Sequence, residues 1–183
     1  MYNFIKTIVE GRTPKTLKQA DLPYKTTDLG RSLSKQTLEY HYGKLYKGYV
    51  DRFNNGEGDA NFNEAGAFLH EIYFTQFQKP TNNNQPSGSA GELIIKQFKT
   101  FEKFKEEFEK TAMKIQGSGW VYLAKDGKIK TIVNHEIKQD IALLIDWWEH
   151  AWALDYKADK KGYLNNQWKI VNWDVISSRV GLA

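Results

Sequence analysis

The sequence predicts an α+β fold: an N-terminal antiparallel helical hairpin, then a mixed α/β half with a three-stranded antiparallel sheet and C-terminal helices. Three observations carry this. Apolar and aromatic residues recur at helical spacings between Ser34 and Phe77, the turn dipeptide Asp126-Gly127 separates two alternating segments, and IALLIDWW follows as a further apolar run.

In chain order, residues 1–21 scatter Lys and Arg around Glu10 and Asp21, and no small-residue cleavage site follows an apolar core. They read as a short extension. The hairpin domain then occupies 22–80. From Ser34 to about Phe53 a capping serine precedes Leu38, His41, Leu45 and Tyr49 at spacings of three and four, a helix with one distinct stripe. The glycine-rich NNGEGDANFNEAG breaks this pattern before a second helix, from about Glu64 to Phe77, carrying His70, Tyr73 and Phe77.

KPTNNNQPSGSAG, Lys79 to Gly91, has turn residues and little apolar content, so it links the halves, and the α/β domain covers 90–183. Helix signals return in ELIIKQF and in TFEKFKEEFEKTAMKI, where Phe101, Phe104, Phe108 and Met113 form a core-facing stripe. GSGWVYLAKDGKIKTIVNHE supplies two antiparallel strands and IALLIDWW a third. YLNNQWKIVNWDVISSRV closes the chain as one or two helices.

Composition narrows the chemistry. The 183 residues suffice for a sizeable core and include no cysteine, which excludes disulfides, thiolate metal sites and cysteine nucleophiles. Imidazole, carboxylate and water remain as ligands, a set for zinc, iron or manganese. No apolar run approaches the roughly 20 residues of a membrane span, so a cytoplasmic protein without a membrane partner is expected. The net charge of +4 is dispersed among acidic residues, which reads as a solvated surface rather than a nucleic-acid footprint and favours a small anionic substrate.

All four histidines, His41, His70, His135 and His150, lie beside aromatic or apolar residues in predicted elements. Asp146 and His150, four apart in DWWEH, can face one point. One histidine from each N-terminal helix completes three imidazoles and a carboxylate: His41, His70, Asp146 and His150. This donor set suits a redox-active first-row metal and leaves a position for water or substrate. The tryptophans of DWWEHAW would keep such a site dry. A non-haem iron oxygenase, needing two histidines and one carboxylate, is the competing enzyme class. A basic, aromatic-rich nucleic-acid module is the competing binding class.

Several segments together resemble the iron/manganese superoxide dismutases. LEYHYGKLYKGYV (38–50) is similar to the family's first ligand helix and AGAFLHEIYF (65–74) to its second. GSGWVYL (117–123) is similar to its first strand, DWWEHAW (146–152) to its hallmark segment, QWKIVNWD (167–174) to its C-terminal helix entry and LPY (22–24) to its N-terminal approach. The HYGK wording is closer to iron-type members.

The resemblance implies one iron or manganese ion per subunit, held by His41, His70, Asp146 and His150 with a water or hydroxide as fifth ligand. One superoxide would give up its electron and leave as oxygen. A second would accept an electron and two protons and leave as hydrogen peroxide. Tyr49 falls at the mouth of the substrate channel, and Trp120, Trp148 and Phe74 on the hydrophobic wall. Glu149 matches a glutamate that reaches a partner's ligand histidine, which implies a homodimer or a tetramer. The chain also departs from the family. Gly66 stands where a glutamine often faces the bound solvent, a role that then falls to His135. Leu45 and Ala153 replace an interface histidine and tyrosine, Trp152 replaces a tyrosine, and Lys160 takes the place of a substrate-steering arginine.

Overall fold

The computed structural model describes residues 15–181. Of the expected extension over 1–21, residues 1–14 lie outside the described residues. From Lys15 the chain runs along the hairpin. Leu17 N–H donates to Asn54 Oδ1 (2.8 Å), Gln19 Nε2 to the Tyr42 carbonyl (2.7 Å) and the Tyr24 hydroxyl to the Phe74 carbonyl (2.9 Å).

The first helix opens where its serine cap predicts: Ser34 Oγ accepts from Thr37 N–H at 3.1 Å, starting α1 (Lys35–Tyr40). The helix then widens into a π-helical segment, His41–Tyr46, before α2 (Lys47–Asn55) restores the ordinary turn. This corrects the expected stripe, which assumed an unbroken 3.6-residue period. The i→i+5 turn carries Tyr46 inward to 1 % exposure and leaves Leu45 half-buried. Gly56, at φ +70°, ends α2 in the left-handed conformation that costs glycine no Cβ clash.

The second helix, α3 (Ala60–Phe74), begins before Glu64 because Asp59 caps it, Oδ1 accepting from Phe62 N–H at 2.7 Å. It also stops short of Phe77. The chain beyond leaves the helix to pair with the C-terminal half: Phe77 bridges Val171, Gln78 N–H donates to the Ile170 carbonyl (2.7 Å) and Asn172 N–H to the Gln76 carbonyl (2.8 Å).

α4 (Gly88–Phe98) starts inside the stretch expected to be linker. There Ser177 Oγ accepts from Ala90 N–H (3.1 Å) and donates to the Ser87 carbonyl (2.8 Å), so a distant side chain secures this end. In α5 (Phe101–Ala112), Phe101, Phe104 and Phe108 are buried against the Trp168 ring. Met113 does not join them. The helix ends at Ala112, which takes the last inward position, and Met113 is 47 % exposed.

The sheet comprises β1 (Gly119–Ala124), β2 (Ile129–Val133) and β3 (Ile141–Asp146), antiparallel in the order β2-β1-β3. Gly127, at φ +82°, makes the predicted turn. The register sets Trp120 opposite both Ile132 and Asp146. β3 is an edge strand, yet every residue in it is buried. Its free edge is closed by Gln76, whose side chain accepts from Leu144 N–H (3.0 Å) and donates to the Leu144 carbonyl, as a neighbouring strand would. Arg179 braces that amide, donating to Gln76 Oε1 (3.3 Å) and to the Ala142 (3.1 Å) and Ile72 (2.9 Å) carbonyls.

After β3 come α6 (Glu149–Tyr156), α7 (Lys160–Gln167) and α8 (Trp173–Gly181), so the closing segment, expected as one or two helices, forms two, and α6, built from the DWWEHAW segment, is an addition. Among the described residues no helix is long and apolar enough to cross a membrane.

Candidate metal centre

Each ligand candidate is delivered by a different element. His41 opens the π-helical segment, His70 faces inward from α3, Asp146 ends β3 and His150 lies in the first turn of α6. One ligand atom from each falls within 4.8 Å of the others. The Nε2 atoms of His41, His150 and His70 stand 3.1, 3.3 and 3.8 Å from Asp146 Oδ2. His41, His70 and Asp146 are fully buried, whereas the His150 side chain is 15 % exposed.

The cluster is not an ordinary buried hydrogen-bond network. His150 Nε2 is within hydrogen-bond distance of Asp146 Oδ2, but His41 Nε2 and His70 Nε2, despite their closeness to the same carboxylate, make no hydrogen bond. Buried polar atoms rarely stay unmatched without a reason. The tautomer of His70 is set as well: its Nδ1 lies 2.6 Å from the Gly66 carbonyl, which can only accept, so Nδ1 carries the proton and Nε2 the lone pair. Asp146 is oriented from behind. Its Oδ1 accepts from Trp148 N–H (2.8 Å), and its main-chain carbonyl accepts from the Tyr163 hydroxyl (2.9 Å), itself 3.0 Å from that of Tyr73.

Electrostatics favours the same state. Burial, followed by the neighbouring His150, lowers the His41 pKa to about 4 against the opposing pull of Asp146. Burial and His41 hold His70 well below the usual imidazole value. For Asp146 burial works upward, but His150 and His41 outweigh it and keep the carboxyl well below its ordinary range. At neutral pH His41 and His70 are therefore neutral imidazoles beside an ionised carboxylate, a donor set that fits a divalent or trivalent first-row cation.

Aromatic rings wall the site. Phe74 meets His41 edge-on (4.8 Å), Tyr46 stacks on His70 (5.7 Å) and Trp120 meets His70 edge-on (5.1 Å). Trp148 lies 5.7 Å from His150 and stacks on His135 at 4.6 Å. His135 Nε2 is 3.0 Å from the Tyr49 hydroxyl, and Trp120 Nε1 donates to His135 Nδ1 (3.2 Å) and to the Asn134 carbonyl (2.9 Å). Burial, then the Asp146 charge, pushes the Tyr49 phenol up to about 12, with Arg52 opposing. Burial brings His135 down to about 4. Gly66 leaves no room for a side chain, since a Cβ there would sit 2.8 Å from Tyr49 Cδ1. The absence of a glutamine at that position thus has a steric counterpart.

Other predicted positions fall around this centre. Lys160 Nζ lies over the rings of Trp152 (4.8 Å) and Trp147 (5.7 Å), Glu149 is exposed, and Leu45 and Ala153 are half-buried. Phe62 was not anticipated. It touches Tyr49 (6.0 Å) and His135 (4.6 Å) and borders a hollow of about 600 Å³ beside His135. The signal was present: once Asp59 is read as the cap, Phe62, Gly66 and His70 follow at four-residue steps on one face. Tyr163 had no such signal, because it reaches Asp146 only through tertiary contact.

Known proteins share this organisation. A family model described as iron/manganese superoxide dismutases, alpha-hairpin domain, matches residues 16–59, and one described as the C-terminal domain of the same enzymes matches residues 86–179. A superoxide dismutase of Porphyromonas gingivalis, named for manganese or iron, is 39 % identical, the match covering 86 % of this chain and 96 % of the relative. A superoxide dismutase of Bacteroides fragilis named for iron is 34 % identical, covering 90 % and 100 %. One of Escherichia coli K12, also named for iron, is 31 % identical, covering 87 % and 95 %.

Proposed function

Because the chain belongs to the iron/manganese superoxide dismutase family, we propose that His41, His70, Asp146 and His150 are the ligands through which it performs that family's reaction. The enzyme is a superoxide dismutase that converts superoxide to oxygen and hydrogen peroxide with iron or manganese. The observation supporting these four as ligands is the pair of buried, unmatched Nε2 atoms gathered with a carboxylate oxygen and the His150 nitrogen within 4.8 Å of one another. When bound, the ion supplies a one-electron redox couple.

The chain's own residues do the rest. Tyr49, with its pKa raised to about 12, stays a neutral phenol at physiological pH, and its hydroxyl pairs with His135 Nε2 to hold a proton beside the cluster. Trp120, Trp148 and Phe74 limit water and bulkier molecules. Lys160 contributes positive charge toward the anionic substrate. Glu149 is exposed at the start of α6 next to the least buried ligand, which supports reading it as the residue that reaches the His150 of a second copy in a homodimer. We read residues 22–80 and 90–183 as its two domains and the cytoplasm as its location.

The test is direct. Metal-free enzyme is reconstituted with iron and with manganese separately, and metal content and superoxide removal are measured. At least one form should hold about one ion per chain and be active. A His70→Ala protein that kept full occupancy would refute the ligand assignment.

A further inference from the structure

Arg52 lies on α2 three residues beyond Tyr49, with its guanidinium carbon 4.9 Å from the centre of the Tyr49 ring. Its position is built. Arg52 Nε donates to Asn63 Oδ1 at 3.1 Å, and Asn63, only 3 % exposed, donates its own Nδ2 to the Glu57 carbonyl at 2.8 Å. The buried amide is therefore orientated with its oxygen toward Arg52. Gly48 leaves space for the fork, since a Cβ there would lie 3.0 Å from Arg52 Nη1.

These contacts hold the cation without neutralising it. Among the described residues no carboxylate lies within ion-pair distance of Arg52, and the adjacent Asp51 pairs with Lys47. The hollow beside His135 has the opposite character. Asp59, Glu64 and Glu136 border it, with Lys15 on Glu64 and Lys138 on Glu136. The hollow beside His135 thus carries more carboxylates than cations, whereas Arg52 presents an exposed, unpaired guanidinium beside the Tyr49 ring.

We propose that Arg52 recruits the anionic substrate, gathering superoxide and competing small anions at the Tyr49 ring ahead of the metal centre. The inference rests on the dismutase function and adds a residue to it. Guanidinium chemistry suits this role. The group is weakly hydrated, always charged, and with Nε committed to Asn63 still offers the N–H groups of both Nη atoms to a small anion.

The test compares metal-loaded wild type, Arg52→Gln and Arg52→Lys. It measures kcat and kcat/KM against ionic strength, and azide affinity from the absorption of the bound metal. Arg52→Gln should lower kcat/KM about threefold at about 10 mM salt, as expected for one charge acting through solvent over several ångströms, and the gap should close near physiological salt. Its azide Kd should rise by a similar factor with kcat unchanged. Arg52→Lys should restore most of the kcat/KM and little of the azide affinity. A glutamine variant with wild-type salt dependence and azide affinity overturns the proposal. So does a variant whose loss lies in kcat with a shifted pH profile, which would make Arg52 a positioning residue for Tyr49. A wild-type protein inactive with both metals would instead overturn the reading beneath it.

Discussion

The two sides of the metal centre hold their donors by different physics. On the hairpin side, His41 and His70 are wedged among Phe74, Tyr46 and Trp120, and one carbonyl, that of Gly66, sets the His70 tautomer. Across the site, Asp146 is held chiefly by hydrogen bonds, from Trp148 N–H and the Tyr163 hydroxyl, and His150 retains some exposure. Packing supplies the neutral donors, and hydrogen bonding supplies the charge and the access. An imidazole kept neutral needs a dry apolar wall, whereas a buried carboxylate needs its unused oxygens satisfied.

Removing a donor should break either side most severely. His70→Ala and Asp146→Ala are each expected to lose most bound metal and at least about 100-fold in activity, read by elemental analysis and superoxide assay. Asp146→Asn sharpens the contrast. It keeps an acceptor for Trp148 N–H but loses the negative charge, so it should fold normally and still bind metal poorly.

Acid should separate the sides next. His41 titrates near 4 in the folded protein and near the ordinary imidazole value of 6.5 when unfolded. Between those values the unfolded chain takes up a proton that the folded chain refuses, so this stability is complete above about pH 6.5 and is lost as pH falls toward 4. His41 alone accounts for about 2 kcal/mol between pH 7 and 5, and His70 shifts in the same direction. The denaturant midpoint of metal-free protein should fall accordingly. A flat midpoint over that range would show that the hairpin-side histidines are not kept neutral by the fold.

An effect of similar size, confined to stability, is expected at the seam joining the sides. Gln76→Leu leaves the N–H and carbonyl of Leu144, two residues before Asp146, without partners, and should cost about 2–3 kcal/mol in equilibrium unfolding. Smallest should be Gly66→Ala, at about 1–2 kcal/mol, because the added methyl presses on the Tyr49 ring. That change should also disturb the Tyr49–His135 contact, visible as an altered pH profile of kcat.

Local signals made much of this molecule legible. Ser34 marks a helix start, Asp126-Gly127 a turn, and the alternation on either side of that turn two strands, because each depends on residues close in sequence. Elements went astray where a distant group intervened. Ser177 starts α4 earlier than its polar residues suggest, and the C-terminal segment draws Gln76 and Phe77 out of α3. The π-helical turn was invisible because periodicity counts assume one pitch, and a single widened turn moves the buried position from Leu45 to Tyr46.

The sequence by itself determined which donors exist. With no cysteine and four histidines, and with Asp146 and His150 one helical turn apart, residue chemistry and local spacing leave few ways to build a cation site. Only the tertiary structure decided how those donors are presented: which nitrogen of His70 keeps its lone pair, which oxygen of Asp146 faces the others, and which arginine stays unpaired beside Tyr49. Those properties depend on desolvation and on contacts made only once the elements pack, such as Tyr163 on the Asp146 carbonyl and Asn63 on Arg52.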